Sequence, residues 1–146
     1  MNPEAFMQLA IEAARQSETP FGAVIVKDGQ VVERAGNTVK PDSDPTGHAE
    51  VNVMRKLTRR LGSARLEGDY ILYTTCEPCA MCAATCFWAG ITHIVYGAGS
   101  EDFPDSNPNQ INITCADVLK HAPQDFKVEG GLLRDECKQL HADFPL

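Results

Sequence analysis

No stretch of the chain stays apolar for long enough to span a membrane, which takes about 20 consecutive apolar residues. The start, Met1-Asn-Pro-Glu4, lacks the basic-then-apolar form of a secretory signal, so the cytoplasm is the expected compartment. Basic residues are scarce: 13 Lys and Arg stand against 20 Asp and Glu, a net charge of −7. A broad nucleic-acid surface needs Lys and Arg to neutralise phosphates, so neither a nucleic acid nor a membrane is the expected partner. Internal repeats, low-complexity tracts and interdomain linkers are missing too. With 146 residues, 43% of them apolar and 23% charged, residues 1–146 read as a single globular domain.

Cysteine, by contrast, is plentiful. Four of the six fall within the run Thr75-Cys-Glu-Pro-Cys-Ala-Met-Cys-Ala-Ala-Thr-Cys86. In a reducing compartment such crowding points to metal binding rather than disulfides, while Cys115 and Cys137 read as small buried apolar residues. Cys79 and Cys82 are spaced to share a helix face, Pro78 suits the first turn, and the positive end of the helix dipole favours thiolates. Upstream, Thr46-Gly-His-Ala-Glu50 offers His48 as a third ligand and Glu50 as a carboxylate to move protons. Three protein ligands leave a fourth tetrahedral position for water, the mark of catalytic zinc. Glu50 lies two positions from His48 and would diverge from it on a regular helix, so His48 must occupy an irregular helix start near Thr46-Gly47. The cysteine run also fits the C-x2-C-x2-C-x3-C pattern of an iron–sulfur protein, with Phe87 where that pattern has Pro, or a structural zinc module. Against these, His-Ala-Glu serves no purpose in an electron carrier, and Ala80, Met81, Ala83, Ala84, Phe87 and Trp88 suggest an apolar helix.

Residues 2–17 carry Phe6, Leu9, Ala10, Ala13 and Ala14 at helical spacing. Residues 21–26 and 31–35 read as a β-hairpin around Asp28-Gly29. Residues 39–45 read as a polar loop, followed by a helix from His48 to about Leu61 that stops near Gly62. Residues 69–75 read as a central strand that delivers the cysteine helix at its carboxyl end, and residues 92–98 as a parallel neighbour. A Gly-, Asp-, Asn- and Pro-rich loop over 99–112, a short helix over 112–121, a strand over 126–129 and a helix over 132–142 complete the chain. Arg55, Lys56, Arg59, Arg60 and Arg65 fall within eleven positions and read as a solvated helix face, with phosphate binding as the alternative.

His-x-Glu followed by Pro-Cys-x-x-Cys resembles the zinc-dependent cytidine deaminase superfamily, in which zinc activates a water against an amino-bearing ring carbon and the Glu shuttles protons. The resemblance extends over Pro20-Phe-Gly-Ala-Val-Ile-Val26, Asn37, Asp44-Pro-Thr-Gly-His-Ala-Glu50, Leu72-Tyr-Thr-Thr-Cys-Glu-Pro-Cys-Ala-Met-Cys82 and Val95-Tyr-Gly-Ala98. It implies a three-layer α/β/α cytidine-deaminase-like fold with a mixed five-stranded sheet, one zinc ion per subunit on His48, Cys79 and Cys82, and Glu50 as the catalytic group. It also implies substrate contacts from Asn37, Phe21 and the backbone at Ala49, and a homodimer paired through the ligand-bearing helices.

Within that superfamily, Thr75-Cys-Glu-Pro-Cys79 with Trp88 six residues after Cys82, and Phe103-Pro-Asp-Ser106, are most similar to the guanine deaminases. That similarity implies that Trp88 stacks on the purine and Asp105 meets its N–H edge. A small nucleobase or nucleoside is then the expected substrate, guanine first. Gly131-Leu-Leu-Arg-Asp-Glu-Cys137 resembles the tRNA wobble-adenosine deaminases instead, which makes tRNA adenosine the alternative, with free cytosine or cytidine a further one. Phe144 is a candidate for closing the site.

Overall fold

The computed structural model describes residues 2–103 and 108–146. Five strands form one mixed sheet: β1 (Gly22–Lys27), β2 (Gln30–Gly36), β3 (Tyr70–Cys76), β4 (His93–Ala98) and β5 (Lys127–Glu129), in the order β2-β1-β3-β4-β5. β1 pairs antiparallel with both β2 and β3, whereas β3–β4 and β4–β5 are parallel. Asp28 and Gly29 both take positive φ, which closes the β1–β2 hairpin in a tight turn whose twist suits the strands.

Every residue from Gly22 to Val26 is buried, so β1 feeds both faces of the sheet. Ala23 and Ile25 pack with Val53, Met54, Leu57, Leu72 and Ile94 beneath α3 (Ala49–Leu61), α4 (Ala80–Ala89) and α5 (Cys115–Leu119). Val24 and Val26 pack with Phe6, Met7, Ala10, Tyr73, Val95 and Leu140 beneath α1 (Pro3–Ser17) and α6 (Arg134–Asp143). The result is the three-layer α/β/α arrangement. Gly22 has no alternative residue, because a Cβ there would collide with the Ala10 carbonyl of α1. Cys115 and Cys137 are both fully buried, as expected of small apolar side chains. Among the described residues no helix is long and apolar enough to cross a membrane.

Helix boundaries follow local chemistry. Asn2 caps α1 through its side-chain oxygen, which accepts from the Ala5 N–H at 2.9 Å, and α3 ends where Gly62 takes φ 69°. Three expectations need correction. Residues 39–45 are not all loop: Val39–Asp42 form a helical turn, α2, which tolerates Pro41 because first-turn N–H groups have no helical partner anyway. Pro78 is outside its helix, preceding an N-cap at Cys79. The helix expected over 112–121 begins at Cys115, since the Thr114 hydroxyl accepts from the Asp117 N–H at 3.0 Å and fixes the start there.

Candidate active site

Two helices begin at one point on the carboxyl edge of the sheet. His48 is the N-cap of α3, with extended backbone (φ −68°, ψ 152°), and Cys79 is the N-cap of α4 (φ −68°, ψ 176°). These are the irregular positions that let His48, two residues from Glu50, converge with the cysteines. Ala49 and Glu50 form the first turn of α3, while Cys82 is fully buried in the first turn of α4. Both helices point their uncommitted N–H groups, and the positive ends of their dipoles, toward this place.

The donor atoms of His48, Cys79 and Cys82 all lie within 4.8 Å of one another. His48 Nδ1 is 3.6 Å from Cys79 Sγ and 3.5 Å from Cys82 Sγ. A tetrahedral zinc with Zn–S of about 2.3 Å and Zn–N of about 2.0–2.1 Å sets nitrogen and sulfur about 3.5 Å apart, so the donor set fits the ion. Without metal, the Cys82 thiol hydrogen-bonded to Cys79 draws the Cys79 thiol down to about 4, helped by His48. His48 is raised chiefly by its Cys79 partner, and Cys82 is raised by the same thiol contact and by burial. A ready thiolate beside an imidazole suits metal uptake with release of protons.

Glu50 is buried at 6% exposure, and burial pushes its carboxyl up to about 7. Its own backbone N–H, His48 and the Cys82 thiol oppose that rise. A carboxyl titrating near neutrality can both accept and return a proton.

The other expected contacts divide. The Phe21 carbonyl accepts from the Asn37 N–H at 3.2 Å, and Asn37 Oδ1 accepts from the Val39 N–H at 3.0 Å. Phe21 itself leads into β1, where the Thr75 hydroxyl donates to the Pro20 carbonyl at 2.8 Å and accepts from the Gly22 N–H at 3.1 Å. Both residues therefore stand at the carboxyl edge of β3, with the metal ligands. Trp88 is not brought to the ligands within this chain. Nine residues beyond Cys79 at about 1.5 Å each, it stands about 13 Å along the helix, 73% exposed, its ring edge-on to Phe87. Asp105 lies outside the described residues. Phe144 packs on the α1 side with the Arg15 guanidinium 6.0 Å above its ring, and no lid function follows from that place.

Two positioning residues escape a pattern-based reading. The Asn52 side-chain nitrogen lies 2.9 Å from the Gly36 carbonyl, 2.9 Å from Thr38 Oγ1 and 3.1 Å from the Gly47 carbonyl, tying the Asn37 segment to the His48 approach. A buried amide one helical turn after His48 was its only signal. Glu77 accepts from the Ser100 and Cys115 N–H groups, both at 2.9 Å, bracing two segments beside Cys79. Replacing Asn52 by Ala strips those oxygens of their donor and is expected to cost about 2 kcal/mol, read as a lowered urea midpoint.

Fold and site together describe a three-donor metal centre of zinc dimensions, with a buried carboxyl beside it, at the start of two helices. The family description "Cytidine and deoxycytidylate deaminase zinc-binding region" matches residues 1–98, and the chain belongs to that family. It is 43% identical over 107 residues to a guanine deaminase of Bacillus subtilis (strain 168), covering 70% of this chain and 68% of the relative. It is 46% identical over 143 residues to a tRNA-specific adenosine deaminase of Agrobacterium fabrum, covering 95% and 91%. Among solved structures, a guanine deaminase from Nitrosomonas europaea superposes with a TM-score of 0.82 at 27% identity, over 99% of this chain and 86% of that one. A structure from work on tRNA:A34 deaminases superposes at 0.78 and 35% identity, over 93% and 98%. The family's cofactor is zinc, and His48, Cys79 and Cys82 provide its place.

Proposed function

We propose that the protein deaminates guanine to xanthine, releasing ammonia. The observation that carries the deamination itself is Glu50, a buried carboxyl held near neutral pKa beside a three-donor cluster of tetrahedral dimensions; the choice of guanine rests on the likeness to guanine deaminases and on the charge of the chain. When bound, zinc lowers the pKa of a water toward neutrality and so supplies the nucleophile. Glu50 takes the water's proton, passes it to a ring nitrogen as oxygen adds to C2, and returns a proton to the amine as the C2–N bond breaks. Asn37, its oxygen committed to the Val39 N–H, offers its NH2 group to the heterocycle. The Ala49 amide, at the free end of α3, is a second donor.

Charge favours a free base over a polynucleotide. The chain carries −7, and some of its 13 Lys and Arg are drawn into ion pairs, among them Arg15 with Asp143, Lys56 and Arg60 with Glu33, and Arg134 with Glu101 and Asp102. A second reading, deamination of adenosine in tRNA, is supported by the 46% identity over 143 residues and by a groove beside Asn37. That groove carries Arg55, Lys56 and Arg59, but also Asp42 and Asp44, beside Gly36 and Thr38. Ammonia release by zinc-loaded protein is measured on guanine, guanosine, cytosine, cytidine, adenine, adenosine and an anticodon stem-loop RNA, with Glu50→Ala as blank. Guanine is expected to be turned over; release from the RNA alone replaces guanine by tRNA adenosine.

The exposed Trp88 edge of α4 is the face we assign to a homodimer. Light scattering is expected to give twice the chain mass, and Trp88→Glu to shift it toward one.

A further inference from the structure

Among the described residues, the Nε2 atom of His141 is the one buried side-chain nitrogen or oxygen without a hydrogen-bond partner. Such an atom gives up its water and gains nothing in return, which a fold tolerates where a ligand supplies the missing partner. Its surroundings say where that ligand would be. The His141 ring is 4.5 Å from the Phe103 ring and 5.7 Å from the Phe21 ring, nearly perpendicular to the latter. Phe103 follows β4 by a single 3₁₀ turn, Ser100–Asp102, and Phe21 leads into β1, where Ala23 lies opposite Thr74 near the end of β3. Cys137, one helical turn before His141, packs its sulfur against Gly97 at the end of β4. The imidazole therefore stands at the same carboxyl edge of the sheet as His48 and Cys79. The wall it belongs to continues through the Phe21 carbonyl to Asn37.

We infer that His141 is a substrate-contacting residue, its Nε2 hydrogen-bonding the polar edge of the heterocycle while Phe21 and Phe103 pack on the imidazole. The inference rests on the proposed reading of this edge as a nucleobase pocket. Neutral imidazole suits the task, since it offers hydrogen bonding without the desolvation cost of a full charge. Burial lowers the His141 pKa, which keeps the ring neutral at physiological pH. Phe21 and Phe103, whose rings pack on the imidazole, add apolar surface beside the directional contact that His141 makes.

The test compares His141→Leu, His141→Gln and His141→Asn with wild type in the zinc-loaded protein, using whichever base of the substrate panel wild type turns over. His141→Leu is expected to raise KM about tenfold with kcat within about threefold, at unchanged zinc content. His141→Gln, whose amide reaches the position of Nε2, is expected to restore KM to within about threefold, whereas the shorter Asn does not. A change in thermal midpoint with KM unmoved in His141→Leu makes the residue structural and overturns the inference. Failure of guanine alone removes the proposed substrate but leaves this comparison standing on the base that is used. A wild type silent on the whole panel overturns both.

Discussion

Glu50→Gln is expected to abolish deamination, by at least the hundred- to ten-thousandfold typical of a lost general acid–base, while binding as much zinc as wild type. The amide keeps the shape of the side chain but can neither take the water's proton nor return one to the departing amine. Metal content by elemental analysis and turnover of the same sample separate the two effects. The same substitution is expected to stabilise the fold. Burial raises the Glu50 carboxyl from 4.5 to about 7, so the folded protein holds this proton more tightly than the unfolded chain does. Below pH 4.5 the group is neutral in both states and costs nothing; the penalty grows between 4.5 and about 7 and is complete above. A shift of that size corresponds to about 3 kcal/mol at pH 8, and Gln removes it. Thermal unfolding of metal-free wild type and Glu50→Gln is expected to diverge at pH 8 and to converge near pH 4; equal midpoints at pH 8 would mean that the carboxyl is better solvated than its burial implies. Activity kept at the expense of stability is the usual relation at such sites.

The sequence was most informative where one local rule decides the outcome. Leu61-Gly62 ends α3 because Gly takes the left-handed cap, and Asp28-Gly29 turns the hairpin for the same reason. Short apolar runs at 70–76 and 93–98, separated by a helix, had to become a parallel pair. The metal ligands were legible because zinc chemistry restricts both residue type and spacing. What stayed hidden depends on contacts between distant segments. Asn52 reaches back 16 residues to the Gly36 carbonyl, Glu77 reaches forward 38 to the Cys115 N–H, and His141 meets Phe21 across 120 residues, none with a spacing to betray it. Trp88 is a different case. Its spacing from Cys82 invites a place beside the substrate, and six residues of helical rise set it about 9 Å further along α4, 73% exposed, so the structure of one chain does not join it to the ligands.

Cys79→Ser separates the metal's contribution from the helix's. Cys79 is the N-cap of α4, a position where Ser is among the preferred residues because its oxygen can accept from the free N–H groups of the first turn. The substitution should therefore leave α4 intact while removing the most readily ionised of the three ligands. Zinc content and deamination are expected to fall to background together, and no added zinc should restore them. Metal-free Cys79→Ser and chelated wild type should then unfold within about 1 kcal/mol of each other, since capping is preserved. Wild type saturated with zinc should stand above both by about 3 kcal/mol or more, the linkage expected when free metal exceeds its dissociation constant a hundredfold. Equal stability with and without zinc would mean that the ion binds the unfolded cysteines as tightly as the folded site. If instead metal-free Cys79→Ser falls well below chelated wild type, the Cys79 sulfur itself holds the start of α4, through the contacts it makes with His48 and Cys82 before any metal arrives.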